Sequence, residues 1–273
     1  MVFSYLFMGM KKILDLKTPE ISYLIGFIQT DGHLQKNTRN RGRLSIEIST
    51  KDYDILEKLQ QIIPVNTTIY TRIRNTNFKN NVSSTTLNVF DHEFRNAIVA
   101  FGVPYGKKSD IISPPRLPYL ENDYWRGIID GDGSLGMTGK KIPYISLVTA
   151  SEDLYQSYKH WLQKYNINID VNRNLRDSVY NITLFREKAQ KIISILYYDQ
   201  CICLNRKLIA AHEAINWIRP KEMKIVPKQP KWTNSELKIL KENNVSNCLI
   251  LLPQRTINAI KLKKNRTKDD KRK

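Results

Sequence analysis

Two segments of the chain, YLIGFIQTDG (residues 23–32) and YWRGIIDGDG (residues 124–133), each place an acid, Asp31 and Asp132, directly before a glycine. In the first, Leu24, Ile25 and Ile28 recur at helical spacing and Gly26 shares their face; in the second, Gly127 holds the same place. A glycine inside a helix costs about 1 kcal/mol relative to alanine. Its presence in both copies predicts two helices packed closely through Gly26 and Gly127. Such packing delivers Asp31 and Asp132 together at two helix C-termini, where carbonyl oxygens add partial negative charge. Carboxylates so placed repel one another unless a cation sits between them. Hard oxygen ligands with positions left open suit Mg2+, with Mn2+ as a substitute. Such ions activate water and stabilise the leaving oxygen in an in-line displacement at phosphorus. An acid and glycine after an apolar run is also an ordinary helix stop; the duplication is what favours chemistry.

The segments that must position these acids repeat as well. After the first copy come an alternating run, RLSIEIS (43–49), and a helical run, TKDYDILEKLQQII (50–63). Two further strand patterns follow, TTIYTRIR (67–74) and STTLNVF (84–90), and then a closing helix near 91–101. After the second copy come YISLVTA (144–150), the helical run 151–165, strand patterns IDVNRNL (169–175) and VYNITLF (179–185), and a closing helix near 186–197. A basic pair follows each closing helix, Lys107 with Lys108 and Arg206 with Lys207. Each half reads helix, two strands, helix, two strands, helix, an α+β arrangement made twice.

The formal charge of +18 predicts a polyanionic partner, nucleic acid first. Residues 220–273 carry 15 basic and 5 acidic residues, a net +10 that leaves +8 for the remainder. No apolar run approaches the roughly 18 residues that span a bilayer. Residues 1–17 are apolar at first without a secretion-signal pattern and read as an N-terminal leader. Three cysteines, an odd count, favour reduced thiols in an intracellular setting, organellar or bacterial. Cys201 and Cys203 near His212 match no usual zinc spacing. The expected organisation is a first half at 18–117, a second at 118–219, a proline-marked linker at 220–231, and a helical unit with a basic tail at 232–273.

GFIQTDG and GIIDGDG resemble the two signature helices of the LAGLIDADG homing endonucleases, and the resemblance extends over residues 18–218. It implies two pseudo-symmetric αββαββα halves forming a saddle on double-stranded DNA. Because one chain carries both halves, it implies a monomer. It further implies that Asp31 and Asp132 bind the essential divalent ions, and that Lys108 and Lys207 stand near the scissile phosphates, where a lysine can stabilise developing negative charge. An ordinary solvated lysine remains the other reading of each. One departure is Gln29, where the second copy has Asp130, a helix-cap or packing position. The function implied is a site-specific, metal-dependent, staggered double-strand break that promotes intron mobility. An RNA maturase or a DNA-binding regulator on the same scaffold is the alternative.

Strand alternation sorts the polar residues onto one surface. With Leu44, Ile46 and Ile48 inward, Arg43, Ser45 and Glu47 point outward; Tyr70, Arg72 and Arg74 do so on their strand, and Ser146 on the matching strand of the second half. His33, Gln35 and Asn37 alternate after Asp31, and Arg41, Ser134, Tyr144 and Asn172 complete the expected DNA-contacting set. Base edges are read through such side chains, while basic groups position the backbone. Beyond the linker, Thr233 and Glu236 form a capping-box pattern. A second helix pattern at 254–264 carries Arg255, Lys261, Lys263 and Lys264. With Trp232 as anchor, this stretch resembles a small Myb-like or helix-turn-helix unit, which implies an additional grip on DNA.

Overall fold

The computed structural model describes residues 14–38, 41–75, 81–223 and 232–269. Most of the expected leader and of the expected linker therefore lies outside the described residues. Two compact units are present, Met1–Arg219 and Pro220–Lys273.

In the first unit, helix α1 (Pro19–Asp31) begins where the Thr18 side chain accepts the Ile21 amide and Pro19 occupies the first turn. Residues Ile21 through Gln29 are all buried. Helix α4 (Glu121–Asp132) is likewise buried from Asp123 through Asp130. A helix buried all round must lie between other layers rather than on the surface, and these two pack against each other. Around α1 the chain adds β1 (Gly32–Leu34), β2 (Leu44–Ser49), α2 (Tyr53–Ile62), β3 (Thr67–Arg74), β4 (Val82–Val89) and α3 (His92–Ala100). The four strands form an antiparallel sheet in the order β1-β2-β4-β3. Leu44 opposite Val89 and Ile46 opposite Leu87 direct the buried face to the helices.

The second half repeats the plan with β5 (Gly133–Met137), β6 (Pro143–Thr149), α5 (Glu152–Gln163), β7 (Tyr180–Phe185) and α6 (Arg186–Leu196). Its sheet has three strands, β5-β6-β7. The strand expected at 169–175 does not form, a correction to the reading of IDVNRNL. Asp170, Asn172 and Asn174 are poor strand formers. An additional helix, α7 (Asn205–Ile215), follows α6 and carries Lys207; the sequence pattern shows only a basic pair there.

Among its described residues the second unit holds three helices, α8 (Asn234–Glu242), α9 (Val245–Leu251) and α10 (Ile257–Asp269). Thr233 and Glu236 make the full reciprocal capping box. Leu240, Cys248, Leu252 and Ile260 form the small core, with Trp232 and Leu237 packed on it. The expected helix at 254–264 starts at Ile257, and α9 was not foreseen.

Candidate active site

The two buried helices touch backbone to backbone. A Cβ built on Gly26 would run into the Tyr124 carbonyl oxygen and lie 3.1 Å from the Ile128 nitrogen. A Cβ on Gly127 would run into the Tyr23 carbonyl oxygen and lie 2.8 Å from the Phe27 nitrogen. The symmetry of these near contacts brings the two C-termini, and so Asp31 and Asp132, side by side. Gly131 extends the close approach: a side chain there would overlap Thr30 Oγ1 and the Asp31 carboxylate.

Crossed hydrogen bonds lock the register. Tyr23 Oη donates to Asp130 Oδ2 at 2.8 Å, and Tyr124 Oη donates to Gln29 Oε1 at 2.6 Å. Each tyrosine thus lies early in one helix and reaches across to the other. Asp130 also accepts from Tyr197 Oη at 2.6 Å and the Leu204 amide at 2.9 Å. Gln29 instead donates through Nε2 to the carbonyls of Gly102 (3.0 Å) and Ser113 (2.9 Å). An acid at position 29 would meet two carbonyl oxygens with no proton to offer. The amide is therefore the fitting residue in the first half, and the carboxylate in the second.

Asp31 is half-buried, and Thr30 Oγ1 donates to its Oδ2 at 3.1 Å. Burial, and then the negative charge of Asp132, push the Asp31 carboxyl up from 3.8 to about 6. Asp132 reaches solvent, yet the protein crowding it raises its carboxyl too, against the pull of Lys108 and Lys207. Both acids thus sit where negative charge is under-compensated.

Lys108 and Lys207 are buried at 8% and 3% exposure, which removes the solvated-lysine reading of both. Lys108 Nζ donates to the carbonyls of Thr30, at 3.0 Å, and of Gly32. Lys207 Nζ donates to those of Ile129 (2.5 Å), Asp130 (2.7 Å) and Gly133 (2.8 Å). Each ammonium satisfies carbonyls at the end of one signature helix, where a cation also meets the helix dipole favourably. Burial lowers both lysines, Lys207 to about 8, and the acids oppose the shift.

On the outer sheet faces, Glu47 is held by Arg72 at 2.8 Å and Arg74 at 3.3 Å and accepts from Ser84 Oγ at 2.8 Å. Ser45 Oγ donates to Asn88 at 2.7 Å, Ser134 pairs with the Tyr144 hydroxyl at 3.1 Å, and Thr183 donates to Ser146 at 3.1 Å. His33, Gln35, Asn37, Arg41, Arg43, Tyr70 and Asn172 are exposed. In the other unit Lys261 is exposed and Lys263 half-buried. Arg255 departs from the expectation of a DNA contact: it is buried, joined to Glu236 by two bonds of 2.8 Å, and lies over the Trp232 ring. Lys264 Nζ donates to the Leu240 carbonyl at 2.7 Å, closing the end of α8. Thr30, Gly131, Asn88 and the crossed tyrosines escaped the sequence reading. Tyr23 and Tyr124 carried a signal, since both copies begin with tyrosine.

Twinned halves joined through glycine-packed helices, each helix ending in an acid, define a class of duplicated α+β proteins. The LAGLIDADG-like domain model matches residues 18–97 and 120–196, more than half of the chain, and the chain belongs to that family. It is similar in fold to the homing endonuclease I-WcaI bound to its DNA recognition sequence, at 19% identity over 73% of this chain and 91% of that one, TM-score 0.49. Mesophilic variants of I-DmoI match at 13% identity over 71% and 97%, TM-score 0.46. I-SmaMI bound to cleaved DNA matches at 14% identity over 71% and 86%, TM-score 0.44. No curated protein matches the chain.

Proposed function

We propose that this chain is a site-specific DNA endonuclease of the homing type, which makes a metal-dependent staggered break in a long duplex target as a monomer and promotes intron mobility. The observation that carries this reading is the pair Asp31 and Asp132, brought together by Gly26 and Gly127 and held in under-compensated negative charge.

The donor set fits a hard divalent ion. Two carboxylates at abutting helix ends offer oxygen ligands only, and among the described residues no group of three or more His, Cys, Asp or Glu gathers anywhere. Such a pair leaves positions for water and phosphate, which suits Mg2+ or Mn2+. Asp31 and Asp132 would hold the ions, which when bound would supply an activated water and neutralise the leaving oxygen. The chain's own residues do the positioning. Lys108 and Lys207 tie down the helix ends and add positive potential beside the acids. The outward residues of the two sheets offer hydrogen-bonding groups to base edges, and exposed arginines such as Arg41 and Arg43 meet phosphates. The three-helix unit, with Lys261 exposed and a net basic tail, adds nonspecific grip.

The test is cleavage of a randomised double-stranded DNA library with Mg2+ by the intact protein, by Asp31→Asn and by Asp132→Asn. Cut ends that need Mg2+ and vanish in both substitutions are expected. Sequence-selective binding without any cut overturns the nuclease reading and leaves a regulator or an RNA maturase.

A further inference from the structure

The second sheet is one strand short, and the missing strand is already half assembled beside it. Asn174 N donates to the Val179 carbonyl at 2.8 Å, and Ser178 N to the Asn174 carbonyl at 2.8 Å. Ser178 has φ of 52°. A turn closed this way, with a left-handed residue before the return strand, is one that joins two antiparallel strands in a hairpin. Extended from Asn174 opposite Val179, the register sets Arg173 opposite Tyr180, Asn172 opposite Asn181, Val171 opposite Ile182 and Ile169 opposite Leu184.

That register is the one the first half uses. There Ile69 stands opposite Leu87 and Thr67 opposite Val89. Leu87 and Val89 correspond to Ile182 and Leu184, because each pair faces matching core residues of the neighbouring strand: Ile46 and Leu44, Leu147 and Ile145. Side chains agree with the placement. Ile169 and Val171 pack on the core, and the Arg173 guanidinium lies 5.2 Å from the centre of the Tyr180 ring. Yet no described backbone bond joins residues 168–173 to β7. At the start of that segment, Asn168 and Ile169 line an open cavity of 890 Å³ together with Thr183, Leu184 and Phe185 of β7 and with Thr138, Lys140 and Ile142 of the β5–β6 turn. The Tyr155 bond to the Val171 amide does not stand in the way, since in this register the Val171 N–H points away from β7.

We infer that residues 168–174 are a conditional fourth strand, which zips onto β7 when duplex DNA lies on the sheet, and that this completes the DNA-reading face of the second half. The inference rests on the DNA-binding reading above. Pairing aligns Asn172 and Asn174 with Tyr70 and Arg72 of the first half, while Arg176 stays in the turn. The two asparagine side chains then line the outer face, where Asn suits bidentate contacts to base edges. Open pairing in the free protein lets this half adapt to its sequence before it commits.

Hydrogen exchange on the full chain tests this, free and with a duplex pool selected from a randomised library for binding in Ca2+. In the free protein the amides of Asp170, Asn172 and Thr183 are expected to exchange rapidly while the amides that pair β3 with β4 are protected. With the duplex bound, as judged by gel mobility in the same samples, the three are expected to slow by at least about a hundredfold. Protection already present in the free protein overturns the inference, as does its absence in a shifted complex. Failure to select any bound duplex overturns the DNA reading and the inference together. Asp170→Pro, which removes a pairing N–H from an exposed position outside the DNA-contacting set, supplies a second measurement. Its melting temperature is expected to match the parent and its duplex affinity to fall about tenfold; undiminished affinity overturns the strand.

Discussion

Replacing Gly26 by alanine drives one methyl group into the backbone of the facing helix. The new Cβ would overlap the Tyr124 carbonyl oxygen, whereas carbon and oxygen in contact ordinarily rest about 3.3–3.6 Å apart, so relief needs a separation of about 1 Å. Neither backbone can yield as a flexible side chain would. Overpacking costs about 1–3 kcal/mol, and the upper end applies here. Alanine's helix preference returns about 1 kcal/mol of that. The net loss of about 2 kcal/mol corresponds to a fall of roughly 4–8 °C in melting temperature for a unit of this size. Activity should fall further, because a shift of about 1 Å between catalytic groups costs on the order of a hundredfold. Gly127→Ala should behave alike, since its clash is with the Tyr23 carbonyl. The double substitution should cost less than the sum, because one separation of the helices relieves both overlaps. Gly139→Ala, with nothing within 4 Å of the new carbon, is the control. Differential scanning calorimetry and single-turnover cleavage read the two effects. A Gly26→Ala protein that melts within about 1 °C of the parent and cuts at full rate refutes the helix-contact reasoning.

Asp31→Asn should stabilise the metal-free protein at pH 8. Its folded carboxyl titrates at about 6 rather than 3.8, so the folded state holds the extra proton between these values and the charged form costs stability above them. Allowing for partial exposure, about 1–2 kcal/mol is expected at pH 8 and none below pH 4; urea titration with EDTA in which the substituted protein is weaker than the parent at pH 8 rules this out. Lys207→Met leaves the Ile129, Asp130 and Gly133 carbonyls and the Asp130 carboxylate without their cation, for a loss of about 3–5 kcal/mol in urea unfolding. An unchanged midpoint would return Lys207 to an incidental role. Truncation after Arg219 should weaken duplex binding and flatten its salt dependence, since residues 220–273 carry a net +10; identical salt slopes would exclude a grip by this unit.

What the sequence made legible is what repeats. The two acid-glycine ends, the paired glycines and the strand-helix order recur in both halves, and duplication separates them from chance. The buried orientation of Lys108 and Lys207 was not legible, because a basic pair after a helix reads the same whether it faces water or carbonyls. Helix α7 was hidden for a related reason: NRKLIAAHEAI follows a stretch of loop, and its small residues Ala210, Ala211 and Ala214 make a weak apolar stripe. In the second unit, Arg255 read as one more surface charge because its partner, Glu236, already had a local role as a helix cap.

Gln29 and Asp130 show where one-dimensional reading stops and why. Aligned, the two copies differ there by a charge, which looks like a lost acid in the first half. In three dimensions both residues receive a tyrosine hydroxyl from the opposite helix, Tyr124 for Gln29 and Tyr23 for Asp130. The difference lies in the second layer. Around Asp130 the remaining neighbours are donors, the Tyr197 hydroxyl and the Leu204 amide; around Gln29 they are the acceptors Gly102 and Ser113. Those neighbours come from segments far along the chain whose closing turns differ between the halves, so no local pattern could reveal them. A symmetrised Gln29→Asp should therefore destabilise the first half by setting a carboxylate against two carbonyls. Asp130→Asn should be milder if its amide turns its oxygen toward the donors, though it loses the partner charge of Lys207. The asymmetry follows from each half satisfying its own buried polar groups, with the crossed tyrosines keeping the two acids in register.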